Sequence, residues 1–249
     1  MKTIILAAGY GTRLYPLTKT LPKALIPIVD EKTILDLLID KIKPLSEEII
    51  LISNALFYEK FVDWSKKRNI SLDIINDGTF SNEERLGAIG DLELLFKTKN
   101  INTDILVVGS DNIFDWRLEN FIEFGKSKNS ITIGLYNLGD LKKAKRFGVV
   151  QINKDNKVVR LQEKPPSPFS TLIGVCIYYF PQEKIYYIDK FARLHPRELK
   201  DAPGSFFSWV YTQEDIYGFV FEGKWFDIGT HQSLEEAKTY FIQKSKEAR

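Results

Sequence analysis

The stretch Thr3-Ile4-Ile5-Leu6-Ala7-Ala8-Gly9-Tyr10-Gly11-Thr12-Arg13-Leu14 decides how the rest of the chain is read. Thr3–Ala7 is continuously apolar and runs straight into glycines, the pattern of a strand buried on both faces of a parallel sheet. Glycines after such a strand let backbone N–H groups approach an anion with no Cβ in the way. The loop is not the dinucleotide fingerprint, because position 14 is Leu where a third glycine belongs. It is not a P-loop either, since no Gly-Lys-Ser/Thr closes it. Taken alone, a G-x-G here is an ordinary strand-end turn. Thr12 and Arg13 add a hydroxyl and a fixed positive charge, and Pro22-Lys23-Ala24-Leu25-Ile26-Pro27-Ile28 follows at loop distance. Nothing structural calls for Lys23 between Pro22 and an apolar run, so two basic side chains beside the loop point to a phosphate site.

Working outward, apolar runs alternate with helical patterns. Ile34, Leu35, Leu38, Ile39 and Ile42 fall at helical spacing, and Pro44 stops them. Strands are expected at Glu48–Ser53, Leu72–Ile75, Asp104–Gly109 and Ser130–Leu135. Helices are expected at Tyr58–Lys67, Gly87–Lys97 and Leu118–Lys126. Strands separated by helices imply an α/β fold with a mostly parallel central sheet and helices on both faces. The second half is richer in β-structure. Phe147–Ile152 and Lys157–Gln162 flank the turn Asn153-Lys154-Asp155-Asn156, predicting a β-hairpin. Thr171–Phe180 is a long strand, Ile216–Phe221 and Lys224–Phe226 bracket Glu222-Gly223, and Thr230 caps a helix running to about Lys246. With no polar linker or repeat, one domain over residues 1–249 is expected. Its halves fall at about 1–115 and 116–228, with a closing helix over about 230–247.

Composition excludes more than it assigns. The 249 residues carry 35 Lys+Arg against 33 Asp+Glu, so no broad footprint for nucleic acid or anionic lipid is implied. One cysteine, Cys176, rules out an internal disulfide framework and a Cys-based zinc site. The apolar run at the N-terminus is too short for a secretory signal, and no run approaches the length of a membrane span. A cytoplasmic protein with no membrane partner is therefore expected. The aromatic cluster Phe206-Phe207-Ser208-Trp209-Val210-Tyr211 reads as core or as interface, so monomer and homodimer both stay open.

Leu6–Leu14 together with Pro22–Ile28 resembles the signature of the sugar-1-phosphate nucleotidylyltransferases, a group that includes the glucose-1-phosphate thymidylyltransferases. The resemblance continues from residue 1 to about residue 240. It implies a Rossmann-like nucleotidyltransferase fold whose β-rich part binds the sugar. It also implies an enzyme that joins a nucleoside triphosphate to a sugar 1-phosphate and releases pyrophosphate. By that resemblance Leu6, Ala8, Gly9, Gly11, Thr12 and Arg13 bind the nucleotide, and Gly87 contacts the base through its backbone. Arg13 and Lys23 hold the triphosphate.

Asp111 lies just past the strand Asp104–Gly109, where parallel sheets bind ligands, although an Asx turn would explain it equally well by position. Asp227 sits among aromatic and apolar neighbours, where a lone carboxylate needs a partner or a cation. The resemblance gives both aspartates to Mg²⁺, with Asp111 also on the nucleotide. It gives Glu163 to the sugar hydroxyls and Lys164 to the phosphate of the sugar 1-phosphate. Gly148 and Gly174 would allow close approach of the sugar ring, though a glycine in a strand often marks a bulge. His195 and His231 read as helix-end or surface residues outside the chemistry.

Asn82-Glu83-Glu84-Arg85-Leu86-Gly87-Ala88 departs from the glutamine and P-x-G-x-A pattern of thymidylyl- and uridylyltransferases. The expected donor is dTTP or UTP. The alternatives are a cytidylyl- or guanylyltransferase acting on phosphocholine, an inositol phosphate, or mannose or heptose 1-phosphate, or a non-catalytic nucleotide-binding regulatory member. A dinucleotide-dependent oxidoreductase fails on the missing third glycine. Only about 20 residues follow Asp227, too few for the appended β-helix domain of longer relatives, so a minimal transferase is expected.

Overall fold

The computed structural model describes residues 1–247, and Ala248 and Arg249 lie outside the described residues. In chain order, β1 (Lys2–Leu6) enters the glycine loop, and short 3-10 turns lead to β2 (Pro27–Val29) and β3 (Lys32–Thr33). Then come α1 (Ile34–Ile42), β4 (Glu48–Ser53), α2 (Tyr58–Arg68), β5 (Asp73–Asn76), α3 (Ala88–Thr98), β6 (Ile105–Gly109) and β7 (Asn112–Phe114). The chain continues through α4 (Glu119–Lys128), β8 (Thr132–Asn137), α5 (Leu141–Ala144), β9 (Gly148–Ile152), β10 (Val158–Glu163) and β11 (Leu172–Phe180). It ends with α6 (Tyr186–Leu194), α7 (Arg197–Lys200), α8 (Pro203–Val210), β12 (Tyr217–Phe221), β13 (Trp225–Asp227) and α9 (His231–Glu247). No described helix is long and apolar enough to cross a membrane.

These elements form two units, each assembled from separated segments. The glycine-loop unit takes Thr3–Arg85, Val108–Arg117 and the chain from Gly223 onward. Its strands follow the order β6-β1-β4-β5, with β4 and β5 parallel. Ser110 N–H bonds Leu6 O and Ala7 N–H bonds Ile52 O, which ties the strand ends on either side of β1. Here the expected parallel α/β arrangement is found. A separate two-stranded sheet pairs β13 with β7, antiparallel, setting Asp227 opposite Asn112. The core beside it consists of Leu14, Ile26, Ile28, Ile34, Ile113, Ile228, Leu234 and Ala237. Leu234 and Ala237 come from α9, whose N-cap is Thr230 as the sequence predicts. Thr230 Oγ1 accepts the Ser233 N–H at 3.1 Å. Fully burying a Leu side chain is worth about 1.5–3 kcal/mol, so the apolar face of α9 is a main tie of this sheet to the unit.

The hairpin unit takes Met1–Lys2, Leu86–Val107 and Leu118–Glu222. Its strand order is β10-β9-β11-β6, and β8 joins β11 to β12. The pairs β10–β9, β11–β9 and β11–β8 are antiparallel, so the β-rich character read from the sequence lies here. Although Glu222-Gly223 separates β12 from β13, the two strands do not pair with each other. β12 runs parallel to β8, whereas β13 belongs to the small sheet of the other unit. Residues 182–211, unassigned from sequence, form a 3-10 turn and three helices, with Phe206, Phe207 and Val210 buried. The aromatic cluster therefore packs into the core: Phe206 meets Phe191 edge-on at 5.6 Å, and Tyr178 lies 4.4 Å from Phe207.

Candidate active site

The glycine loop is held from below by a side chain that sequence reasoning passed over. Asn54 follows directly on the buried strand β4 and is itself fully buried. Its Nδ2 donates to Ala8 O at 2.8 Å, and its Oδ1 accepts the Phe57 N–H at 3.0 Å. A polar residue directly after a buried apolar run was the available signal, because an interior amide has to be spent on something. Gly11 has a structural reason to be glycine. Its φ is +62, its carbonyl accepts Thr18 Oγ1 at 2.7 Å, and a Cβ would press on Thr18. Gly9 has no such reason: a Cβ there would meet nothing within 4 Å. Bare backbone that internal packing does not require is what a loop built to approach an anion should show. Leu6 and Ala8 support the loop from its strand side, and Thr12 and Arg13, both exposed, stand where a short 3-10 turn begins.

Four charged side chains read from distant parts of the sequence meet in this unit. Lys23 opens a 3-10 turn after the extended Pro22, and its Nζ donates to Asp111 Oδ2 at 2.7 Å. The pair is mostly enclosed, with side chains 14% and 32% exposed. Burial alone would raise the Asp111 carboxyl; the charge and hydrogen bond of Lys23, helped by Arg13, hold it below the ordinary value. Asp227 shows the opposite balance. Burial first, and then the negative charge of Asp111, push its carboxyl up to about 6, against the weaker pull of Lys23 and Arg13. The backbone keeps the two aspartates together, since Ile228 N–H bonds Asp111 O at 3.1 Å. Arg13 lies over Gly229, where a Cβ would come within 3.1 Å of its guanidinium.

The pair Asp111 and Asp227 suits a small divalent cation by its donor chemistry. Two hard carboxylates, one of them with its pKa raised by burial and by the charge of the other, present a concentration of negative charge that a cation would relieve. Among the described residues no group of three or more His, Cys, Asp or Glu gathers anywhere, so the other donors to such an ion would be substrate and water oxygens.

In the hairpin unit the predicted residues also come together. Glu163 ends β10 directly opposite Gly148 of β9, and Ile173, next to Gly174, pairs with Val149. The Glu163 carboxylate lies 3.1 Å from where a Cβ would stand on Gly148, and a side chain on Gly204 would collide with it. Gly148 thus makes room for Glu163 first of all. Lys164 stands in the left-handed region, φ +43, with its N–H on Phe147 O at 3.0 Å and its ammonium 3.2 Å from Glu163. A non-glycine residue held there costs of order 1 kcal/mol, which favours a role beyond turning the chain. Around Gly174 the register of β11 shifts before Tyr178, and the positive φ (+51) falls on Cys176. A Cβ on Gly174 would meet only Ile133, at an ordinary 3.6 Å. Gly87 precedes α3 with φ +80, and a Cβ there would strike the Asp201 backbone, so close packing by itself demands a glycine. His195 and His231 stand at helix ends, the first between Phe191 and Trp209, the second 3.2 Å from Tyr15 O.

Comparison with known proteins places the chain in a family. The family model described as nucleotidyl transferase matches residues 2–244. The bifunctional protein GlmU of Methanococcus aeolicus is 34% identical over 256 residues, covering 99% of this chain and 56% of that protein. A protein of Sulfolobus acidocaldarius described as a putative mannose-1-phosphate guanyltransferase is 30% identical over 190 residues, covering 76% of this chain and 51% of its own length. The chain therefore spans about half the length of these relatives. A solved structure from Bacillus anthracis, described as a putative glucose-1-phosphate thymidylyltransferase in complex with a sucrose, matches with a TM-score of 0.82 at 25% identity. That match covers 97% of this chain and 95% of the other.

Proposed function

The chain belongs to the nucleotidyl transferase family, and from that premise we propose that it transfers a nucleotidyl group from a nucleoside triphosphate to a sugar 1-phosphate. The family resemblance read from Leu6–Leu14 and Pro22–Ile28 is borne out; the substrates are the part proposed. An oxygen of the acceptor phosphate forms the new bond to the α-phosphorus, the α–β bond breaks, and pyrophosphate leaves with the electron pair. The nucleophile is already an anion near neutral pH, so no general base is needed. The reaction asks for in-line alignment and neutralisation of charge.

The observation that carries this reading is the cluster of Arg13, Lys23, Asp111 and Asp227 beside a glycine loop whose Gly9 is free of internal packing. The loop's backbone and Arg13 would hold the triphosphate and the departing pyrophosphate, and Lys23 the phosphates nearest the reacting centre. Asp111 and Asp227 would hold Mg²⁺, which when bound supplies charge neutralisation at the phosphates. Glu163 and Lys164 are assigned to the acceptor's hydroxyls and phosphate. The donor proposed first is UTP or dTTP. A guanylyl donor is the second reading, favoured by the departure of residues 82–88 from the pyrimidine pattern and by the name of the Sulfolobus relative. The purified protein, assayed with MgCl₂ against a matrix of triphosphates and sugar 1-phosphates, should release pyrophosphate with one base and one acceptor class strongly preferred. Nucleotide binding with no turnover anywhere in the matrix would favour a regulatory binder instead.

A further inference from the structure

The sheet that brings Asp111 and Asp227 together is too small to be self-sufficient. It has two strands of three residues each, β7 and β13, and an isolated pair of that size is marginal in water. Register matters greatly here, because a slip of one residue would turn Asp227 to the opposite face. Something other than the ladder has to fix it.

The end of the sheet away from the two aspartates is pinned by a side chain with no part in the proposed chemistry. Asp115 follows β7 and faces Lys224, which precedes β13. Asp115 N–H bonds Lys224 O at 3.1 Å, and the Lys224 N–H returns a bond to Asp115 Oδ1 at 2.8 Å. The other carboxylate oxygen accepts the hydroxyl of Tyr240 and, at 3.2 Å, the ammonium of Lys244, both on α9. Gly223 is open only to a residue without a side chain, since its φ is +117 and a Cβ would collide with Asp115 Oδ1. Between the two ends, Trp225 Nε1 donates to Asn112 Oδ1 at 2.8 Å across the strands. Asp115 is enclosed, its side chain 15% exposed, and although burial opposes its charge, the hydrogen bonds from Tyr240 and Lys224 hold the carboxyl below its ordinary value.

We propose that Asp115 and Tyr240 are positioning residues, a latch by which the C-terminal helix fixes the register of β7 against β13 and so the spacing of Asp111 and Asp227 for a divalent cation. The inference rests on the metal role proposed above for those two aspartates. Neither latch residue touches the reacting groups; their effect is transmitted along the backbone of the two short strands.

The test compares Tyr240→Phe and Asp115→Asn with Phe61→Leu, a core variant of α2 in the same unit that leaves the latch alone. Three quantities are read: melting temperature, Mn²⁺ binding by EPR, and the MgCl₂ concentration giving half-maximal pyrophosphate release. Losing a hydrogen bond to a charged group should raise both metal half-saturation values about three- to tenfold in Tyr240→Phe and further in Asp115→Asn. Phe61→Leu should lower the melting temperature and leave both values alone. Latch variants that lose melting temperature with unchanged metal half-saturation would overturn the proposal. The outcomes separate the latch from the readings beneath it. Wild-type Mn²⁺ binding in Asp111→Asn and Asp227→Asn would defeat the metal assignment, and the latch with it. A wild type that binds Mn²⁺ but releases no pyrophosphate would defeat the reaction alone, while a weaker Mn²⁺ complex in Tyr240→Phe would still support the latch.

Discussion

The two charged constellations of this protein, one in each unit, are built on opposite principles. In the glycine-loop unit, Lys23 and Asp111 are locked together at 2.7 Å, and Asp227 is left with a carboxyl pushed up to about 6 by burial and by its neighbour's charge. In the hairpin unit, Glu163 and Lys164 are neighbours in sequence, 3.2 Å apart, and the Lys164 side chain is 59% exposed. The first arrangement carries an electrostatic cost that a bound cation would relieve, whereas the second carries only the backbone cost of Lys164 at positive φ, of order 1 kcal/mol. Charges assembled from remote segments against their own repulsion mark where the protein gives up stability for function. Charges on one exposed turn can be changed with little effect on folding.

The comparison breaks most directly at the aspartates. Asp111→Asn and Asp227→Asn should each lower pyrophosphate release by about 10²–10³-fold, the several kcal/mol that metal-ion catalysis contributes. Turnover near wild type in both would remove the distinction between the constellations. The second effect is on stability and has a definite sign. Asp227 holds its proton up to about pH 6 in the folded chain, whereas in the unfolded chain it loses it near about pH 3.9. Between those values the folded state binds the extra proton, so this residue's contribution falls as pH rises from about 4 to about 6 and stays low above that. A tenfold difference in proton affinity is worth about 1.4 kcal/mol, so the gap between the folded and unfolded carboxyl gives a penalty of about 2–3 kcal/mol at neutral pH. Metal-free Asp227→Asn should therefore melt above wild type at pH of about 7.5, with the advantage disappearing near pH of about 4. Equal melting temperatures across that window would mean Asp227 is not frustrated. A third test turns to the exposed constellation. Lys164→Met should raise the acceptor KM about tenfold, as expected for a charge-assisted contact, and leave melting unchanged within about 1 °C.

The same contrast explains how much of the molecule is legible in its sequence. The strand into the glycine loop is legible as an apolar run ending in glycines. Lys23 and Asp227 are legible because each is locally anomalous, a charge inside an apolar run and a carboxylate among aromatics. Asp111 is marked only by its place just past β6 and by the family resemblance. The strands β1, β4 and β6 are legible because burial on both faces leaves continuous apolar runs. The segment from Gln182 to Tyr211 is not, because its helices are short and aromatic and their periodicity covers barely two turns. β7 is obscure for a related reason, since a three-residue strand has no pattern of its own, whereas β13 lies within one residue of the expected Lys224–Phe226 because the Glu222-Gly223 turn marks it. The latch at Asp115 cannot be read at all, since its partners lie more than a hundred residues away and only the pairing of those two strands brings them near.

The smallest predicted effect tests whether the hairpin unit's glycine serves Glu163 or a ligand. Gly148 sits opposite Glu163 in the ladder, and a Cβ there would lie 3.1 Å from the Glu163 carboxylate. That contact is tight yet falls on the end of a side chain, so Gly148→Ala should fold with nearly the wild-type melting temperature. The carboxylate cannot swing freely, because it already occupies the space beside Gly204, where any Cβ would collide with it. The displacement should therefore appear in function, as a rise of about threefold in acceptor KM, a loss of less than about 1 kcal/mol, with kcat retained. Gly204→Ala, which drives the same carboxylate the other way, should do more. If Gly148→Ala abolishes turnover instead, the glycine is making room for substrate itself, and the hairpin unit's constellation is as tightly built as the one around Asp227.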